Sequence, residues 1–230
     1  MSDHRQLWDL HQCFVLFYRP DKQNLFPIVQ GGLDVAKRKD CAQQLIKRNT
    51  PGFAVGGLSG GEAKDDFWRM VHVSTDELPR DKPRYLMGVG FAVDLVVCSA
   101  LGVDMYDCVF PSRTARFGTA LVRAAPGSIN LKSKEYAADF RPIEEGCECE
   151  TCRHYTRAYL RTIVSETASC HLITVHNIKF QLKLMSDVRE AIKEDRFPDF
   201  VREFMLESFP KKDYPGWTVD ALKAVGVTLL

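Results

Sequence analysis

The chain has 230 residues, 45% of them hydrophobic and 27% charged, with 31 basic against 30 acidic side chains and a formal net charge of +1. These proportions suit a globular core of one or two domains and exclude disorder as the main state. So even a balance gives no global attraction to nucleic acid or anionic membrane. No apolar run approaches the roughly 18 residues a bilayer span needs, and the polar opening MSDHRQLWDLHQ lacks the pattern of a secretory signal.

In chain order, Cys13 to Tyr18 (CFVLFY) offers one candidate strand. Leu25 to Val29 (LFPIV) is an apolar run ending at Gln30-Gly31-Gly32, and a charged helical stretch follows to about Arg48. Phe53 to Val55 closes on Gly56-Gly57, with a helix expected from about Gly61 to Val73. Tyr85 to Val89 again ends at glycine and leads into the apolar Ala92–Ala100 helix. Met105 to Phe110 is the next run, stopped by Pro111. Strand, glycine-rich turn and helix, repeated, predict an α/β fold with a parallel sheet. Strands buried on both faces read as continuous apolar runs of this kind. Polar residues collect at their C-terminal ends, where α/β barrels build active sites. A closed barrel takes eight such units, typically in about 250 residues, and only four, or five with Cys13–Tyr18, are legible.

After Leu131 the pattern changes to a cysteine cluster and then helices: Arg153–Val164, Asn177 to about Asp195, Phe200–Phe209 beyond Pro198, and a short one near Ala221. Without a secretion signal, cysteines crowded at 147, 149 and 152 suggest metal rather than disulfides. The scattered Cys13, Cys41, Cys98, Cys108 and Cys170 read as buried thiols. Three thiolates and one imidazole make a closed tetrahedral zinc set, structural because no position is left for substrate. The bland alternative is three surface thiols on a turn. His154 and His171 compete with His176 for the fourth place. His154 lies too close in sequence to close onto a distant helix, whereas His176 would staple the cysteines to the long helix expected to begin there.

Two further stretches could carry chemistry. GGLSGGE, Gly56 to Glu62, can be a ligand-cradling loop or only a tight turn between strand and helix. DMYDCVFPSRTARFG, Asp104 to Gly118, puts acids in an apolar strand and then arginines on a proline-stopped loop. Alternation places Asp104 and Asp107 on opposite faces, so one of them can face a pocket. A carboxylate there suits nucleophilic attack at a sugar carbon, and paired arginines suit phosphates or base edges. An ion pair capping the strand end is the plainer reading. From Cys108 to Lys134 the basic residues Arg113, Arg116, Arg123, Lys132 and Lys134 meet no acid, which hints at a polyanion or marks a solvated face.

NLFPIVQGG, PGFAVGGLSGGE, PRYLMGVG, DMYDCVFPSRTARFG, CECETC and TVHN occur in the order seen in the tRNA-guanine transglycosylases, and the chain resembles that family, its eukaryotic catalytic members most, from about Arg19 to Leu230. The resemblance implies the C-terminal half of a (β/α)8 TIM-like barrel with a zinc-binding helical subdomain. Residues 1–18 form a divergent leader, 19–134 the partial barrel, and 135–230 the zinc subdomain and C-terminal helices. It implies exchange of the wobble guanine of G-U-N-anticodon tRNAs for queuine, with Asp107 as nucleophile forming a covalent ribosyl-enzyme. By the same resemblance Gln30, Gly56, Gly57 and Met87 bind the base. Gly88, Val89, Gly90, Phe91, Ala92, Val93 and Asp94 contact RNA, as do Ser112, Arg113, Thr114, Ala115 and Arg116. Cys147, Cys149, Cys152 and His176 hold one structural zinc.

Gly60 stands where bacterial relatives carry a bulkier valine, which leaves room for queuine. Retention of the aspartate and arginine segment separates the chain from the family's non-catalytic accessory subunit, its expected heterodimer partner. The implied location is cytoplasmic, with the mitochondrial outer membrane as a peripheral site. The family's first half-barrel, which supplies a general-acid aspartate and another base-binding aspartate, has no counterpart legible in the leader, so the chain reads as truncated and poorly active or inactive alone. A tRNA- or subunit-binding fragment is the alternative. A zinc hydrolase is disfavoured because the ligand set is full.

Overall fold

The computed structural model describes Arg19 and residues 21–229; the leader and the candidate strand Cys13–Tyr18 lie outside the described residues. Four short parallel strands, β1 (Ile28–Val29), β2 (Phe53–Val55), β3 (Arg84–Leu86) and β4 (Met105–Tyr106), lie side by side in sequence order. All three residues of β2 are buried, as expected for a parallel strand covered on both faces. Each strand leads to a helix: α1 (Val35–Ile46), α2 (Lys64–Glu77), α3 (Ala92–Ala100) and α4 (Phe110–Arg116).

Local chemistry fixes these helices. Asp34 caps α1 by accepting from the Lys37 backbone N–H at 3.1 Å. Asp65 and Asp66 occupy the first turn of α2, where the helix dipole favours negative charge. The segment expected to be a proline-stopped loop is the helix α4. Pro111 sits in its first turn, where a missing N–H costs nothing, and Arg113 and Arg116 lie in its last. The strand before it is correspondingly short, and Asp104 and Asp107 flank β4 at opposite ends.

A two-stranded antiparallel hairpin, β5 (Thr119–Leu121) with β6 (Ser128–Asn130), follows. Next come a 3-10 turn (Lys134–Ala138) and the helices α5 (Glu150–His154), α6 (Arg157–Thr162), α7 (Thr167–Lys193), α8 (Phe197–Ser208) and α9 (Gly216–Ala224). The single helix expected over 153–164 is broken at Thr156, whose side chain instead caps α6 by accepting from the Tyr159 backbone N–H. α7 runs 27 residues and starts ten earlier than its periodicity suggests, which puts His176 in its interior and not at its start.

Two apolar clusters hold the molecule together. The larger joins the sheet and α1–α3 to the second half of α7 and to α8 and α9, through residues such as Phe53, Val71, Val96, Leu184, Phe204 and Leu222. The smaller, Ala115, Ala120, Leu131, Ile143, Leu160 and Ile173, joins α4, the hairpin, α6 and the first half of α7. It draws on both sides of residue 134, and the helices after it return to the larger cluster. Among the described residues no helix is long and apolar enough to cross a membrane.

Candidate active site and metal centre

Register assembles the site. Val29 is opposite Val55, Val55 opposite Leu86, and Leu86 opposite Tyr106. The next residue on each strand is therefore Gln30, Gly56, Met87 and Asp107, four sequence-predicted positions in one row along the C-terminal rim. Gly56 N–H to Val29 O (3.1 Å) and Met87 N–H to Val55 O (3.2 Å) extend the ladder into that row. Gly56 admits no side chain, because a Cβ would stand 2.5 Å from Ile28 Cγ2 and 3.2 Å from Met87 Sδ. Gly57 and Gly88, at φ +68° and +78°, turn the chain away in the left-handed region that favours glycine.

Asp107 is solvent-accessible at the end of this row. Its Oδ1 accepts from the Tyr85 hydroxyl at 2.5 Å and from the Gly88 backbone N–H at 3.0 Å. The tyrosine bond, then the glycine bond, hold the carboxyl below its ordinary range, while the same contact pushes Tyr85 up to about 12. The carboxylate is thus ionised and oriented, with Oδ2 outside both bonds. A cleft of about 250 Å³ beside it is lined by Asp107, Cys108 and Tyr106 and by Ile178, Leu182 and Met185 of α7. Two larger clefts, about 400 and 420 Å³, include none of Asp107, Gln30, Gly56, Gly57 or Met87.

Arg38 braces the glycine turns from behind. It is fully buried. Nε donates to Gly32 O at 2.7 Å, Nη2 to Gly56 O at 3.1 Å and Nη1 to Ser74 Oγ at 3.4 Å, and burial lowers its pKa. Glu62 closes the GGLSGGE loop on itself, accepting from the Ser59 and Gly60 backbone N–H groups. Gly60 itself faces open space, where a Cβ would meet only Glu62 Oε2 at 3.9 Å.

The two candidate RNA segments are only partly presented. Gly88, Phe91, Arg113 and Arg116 are exposed, and Ala92, Val93, Ser112 and Thr114 are half-buried. Val89, Gly90, Asp94 and Ala115 are buried. Asp94 is paired with Lys64 at 2.5 Å, and the pair borders one of the two larger clefts. Burial raises the Asp94 pKa, against the lowering effect of Lys64. Gly90 packs against the Asp107–Cys108 turn so tightly that a Cβ would lie 2.6 Å from Cys108 Cβ.

Ligand atoms of Cys147, Cys149, Cys152 and His176 all lie within 4.8 Å of one another, a set that could hold one metal ion. His176 Nδ1 faces the three sulfurs at 3.7, 3.7 and 3.3 Å. Nε2 lies 2.8 Å from Leu121 O and donates to it, which leaves Nδ1 unprotonated and available as a ligand. The donor set therefore fits a thiolate-preferring dication. Neither competitor belongs to it: His154 is exposed beside Glu150 at 3.2 Å, and His171 is exposed on α7.

Tyr85, Arg38 and Asn177 escaped the sequence reading. Tyr85 sits inside the quoted PRYLMGVG motif, and the strand period from Met87 back to Tyr85 was the signal available. A buried arginine in a charged amphipathic helix carries no such mark.

The family model described as "TGT: Queuine tRNA-ribosyltransferase" matches residues 4–210, a span that takes in residues 4–18, where no family motif is legible. A Schizosaccharomyces pombe protein named queuine tRNA-ribosyltransferase catalytic subunit is 52% identical over 237 residues, covering 99% of this chain and 58% of that protein. A Caenorhabditis elegans protein of the same name is 49% identical over 241 residues, covering 98% of this chain and 60% of its own length. A Bacillus pumilus queuine tRNA-ribosyltransferase is 49% identical over 195 residues, covering 84% of this chain and 51% of its own. The chain thus spans little more than half the length of these relatives.

Proposed function

The chain belongs to the queuine tRNA-ribosyltransferase family, and on that premise we propose that it carries the nucleophilic half of a tRNA-guanine transglycosylase site, exchanging the wobble guanine of G-U-N-anticodon tRNAs for queuine. The observation that carries this reading is the row of strand ends in which an ionised, two-fold hydrogen-bonded Asp107 stands beside the Gly56 turn and Met87.

Asp107 Oδ2 attacks ribose C1′, the C1′–N9 bond breaks, and guanine leaves with a proton. The incoming base then attacks C1′ through its own nitrogen, gives that nitrogen's proton back to the group that protonated guanine, releases the carboxylate and restores Asp107. Two inversions at one carbon retain its configuration, as a carboxylate nucleophile requires. The reacting base must first leave the anticodon stack. Gln30, the Gly56-Gly57 backbone and Met87 would receive it, and Gly88, Phe91, Arg113 and Arg116 would hold the flanking RNA.

The proton donor to the departing guanine falls outside the described residues on this reading. The nearby carboxylates are committed elsewhere: Glu62 to its loop, Asp94 to Lys64 and Asp104 to the Arg84 backbone N–H. The four parallel strands would be consecutive strands of a (β/α)8 barrel, and the cysteine–histidine set would hold a structural zinc, supplying cross-linking and no chemistry at the substrate. The accessory subunit is the proposed partner, and the cytoplasm the proposed site of action.

Incubation with a G-U-N tRNA should give a protein–tRNA adduct that survives denaturing electrophoresis and disappears in Asp107→Asn. An adduct retained by that variant would sink the assignment. Stable tRNA or subunit binding with no adduct would instead favour a binding fragment, a reading supported by the share of the relatives' length that the chain spans.

A further inference from the structure

Arg113 and Arg116 ride on α4, a helix of only 7 residues. So short a helix cannot hold its own shape or position in water. Its anchor is Asn177, fully buried on α7. The Asn177 amide Nδ2 lies 3.0 Å from Pro111 O, 3.3 Å from Thr114 Oγ1 and 3.1 Å from Thr119 O, and Oδ1 accepts from the Leu121 backbone N–H at 2.9 Å. Asn177 thus holds α4 and the start of β5 with its Nδ2 and the end of β5 with its Oδ1. Its neighbour His176 donates Nε2–H to the Leu121 carbonyl at 2.8 Å and turns Nδ1 toward the three thiols. Both backbone groups of Leu121 are therefore held by adjacent side chains, one a metal-site ligand and the other the anchor of the arginine helix.

We propose that Asn177 is a positioning residue through which the cysteine–histidine centre sets the placement of Arg113 and Arg116 on RNA. The proposal rests on the reading of α4 as an RNA-facing helix. Only an amide supplies an acceptor for Leu121 and donors for Pro111 and Thr119 from one planar group. An aspartate there would set a carboxylate against two carbonyls, and α4 would shift while the thiols and His176 stayed in place. The metal's influence on RNA would then be mechanical, passing from imidazole to Leu121 to Asn177 to α4.

Two measurements on the zinc-loaded full chain test this. The first is binding of a G-U-N anticodon stem-loop RNA to wild type, Asn177→Asp, Arg116→Ala and the double variant, with zinc content measured alongside. Positioning predicts affinity about tenfold weaker in Asn177→Asp with zinc still at about one per chain, and a clearly smaller Arg116→Ala effect in the Asn177→Asp background. Fully additive effects would overturn the proposal. If Asn177→Asp fails to fold, Thr114→Val, which deletes one acceptor on α4, takes its place with the same expected sub-additivity.

The second is hydrogen exchange of wild-type protein before and after zinc withdrawal, with no RNA present. Faster exchange at Leu121 and across residues 110–118, with the sheet unchanged, is expected. A change confined to residues 144–155 would overturn the coupling. Wild-type protein that binds no RNA would count against the function proposed above, while the exchange experiment still decides the coupling.

Discussion

Tyr85 reaches across from β3 to place its hydroxyl on Asp107 Oδ1, so that a residue two before Met87, the proposed base contact, favours the charged form of the proposed nucleophile. The bond favours the ionised carboxylate, and the Gly88 N–H adds to it. Because the folded carboxyl lies below its unfolded value, its small contribution to stability is present above the ordinary carboxylate range. That contribution is lost as pH falls through the lowered value.

Tyr85→Phe removes the larger of these two effects. A hydrogen bond to a charged group contributes ~1.5–3 kcal/mol, and here it favours the ionised reactant, so its loss should be read in the ionisation of Asp107 and not in the plateau rate near neutral pH, where the carboxylate stays ionised either way. The acid limb of the pH–rate profile should move upward, toward an ordinary carboxylate. A rate profile with an unmoved acid limb would separate Tyr85 from the ionisation of Asp107.

Among the described residues Arg38 has no carboxylate within hydrogen-bonding distance; its donors go to two turn carbonyls and Ser74. Arg38→Met leaves those acceptors buried without donors and should cost about 3 kcal/mol or more, measured by urea unfolding. Where folding is retained, KM for the free base should rise more than kcat falls, because the Gly32 and Gly56 turns lose their common brace. A variant as stable as wild type would show that water replaces the guanidinium there.

Gly60 offers a sharper separation of function from fold. Its Cβ direction is open, and its φ is outside the left-handed region. Gly60→Val should therefore change stability by no more than about 0.5 kcal/mol. Labelled queuine incorporation should fall steeply while labelled guanine exchange is retained. Equal loss of both substrates would mean that residue 60 does not border the part of queuine that guanine lacks.

Cys149 is buried beside His176 and also caps α5 by accepting from the Cys152 N–H. Cys149→Ser, or chelation of the proposed zinc, should lower the thermal midpoint by about 10 °C, at ~2–4 °C per kcal/mol for a chain this size. Proteolysis should begin within residues 119–165, since the smaller apolar cluster has only six buried members to hold it. Cleavage starting in the sheet would contradict a local role for the metal.

The sheet was legible because parallel strands buried on both faces write themselves as uninterrupted apolar runs: Phe53–Val55 and the Ala92–Ala100 helix appear at their predicted limits. Helix α4 was not, because proline stops a strand and starts a helix with equal ease, and only tertiary anchoring through Asn177 decides between them. The early start of α7 was hidden by its polar first turns, where Ser169 and Cys170 give no helical stripe. The thiol cluster was plain from spacing, but which histidine joins it depends on Leu121 O fixing the His176 tautomer, a contact 55 residues away in sequence. The expectation for Asp107 rested on its motif; Tyr85 and Arg38 act through geometry that exists only after β1 to β4 are in register.

The most direct test of the account is labelled-guanine exchange into a G-U-N tRNA by the zinc-loaded chain and by Asp107→Asn at matched folded concentration. The account predicts incorporation by wild type, however slow, and none by the variant, with RNA affinity the same in both. Equal incorporation by the two proteins, or none by a wild type that is folded and binds tRNA, would contradict Asp107 as a working nucleophile in this chain.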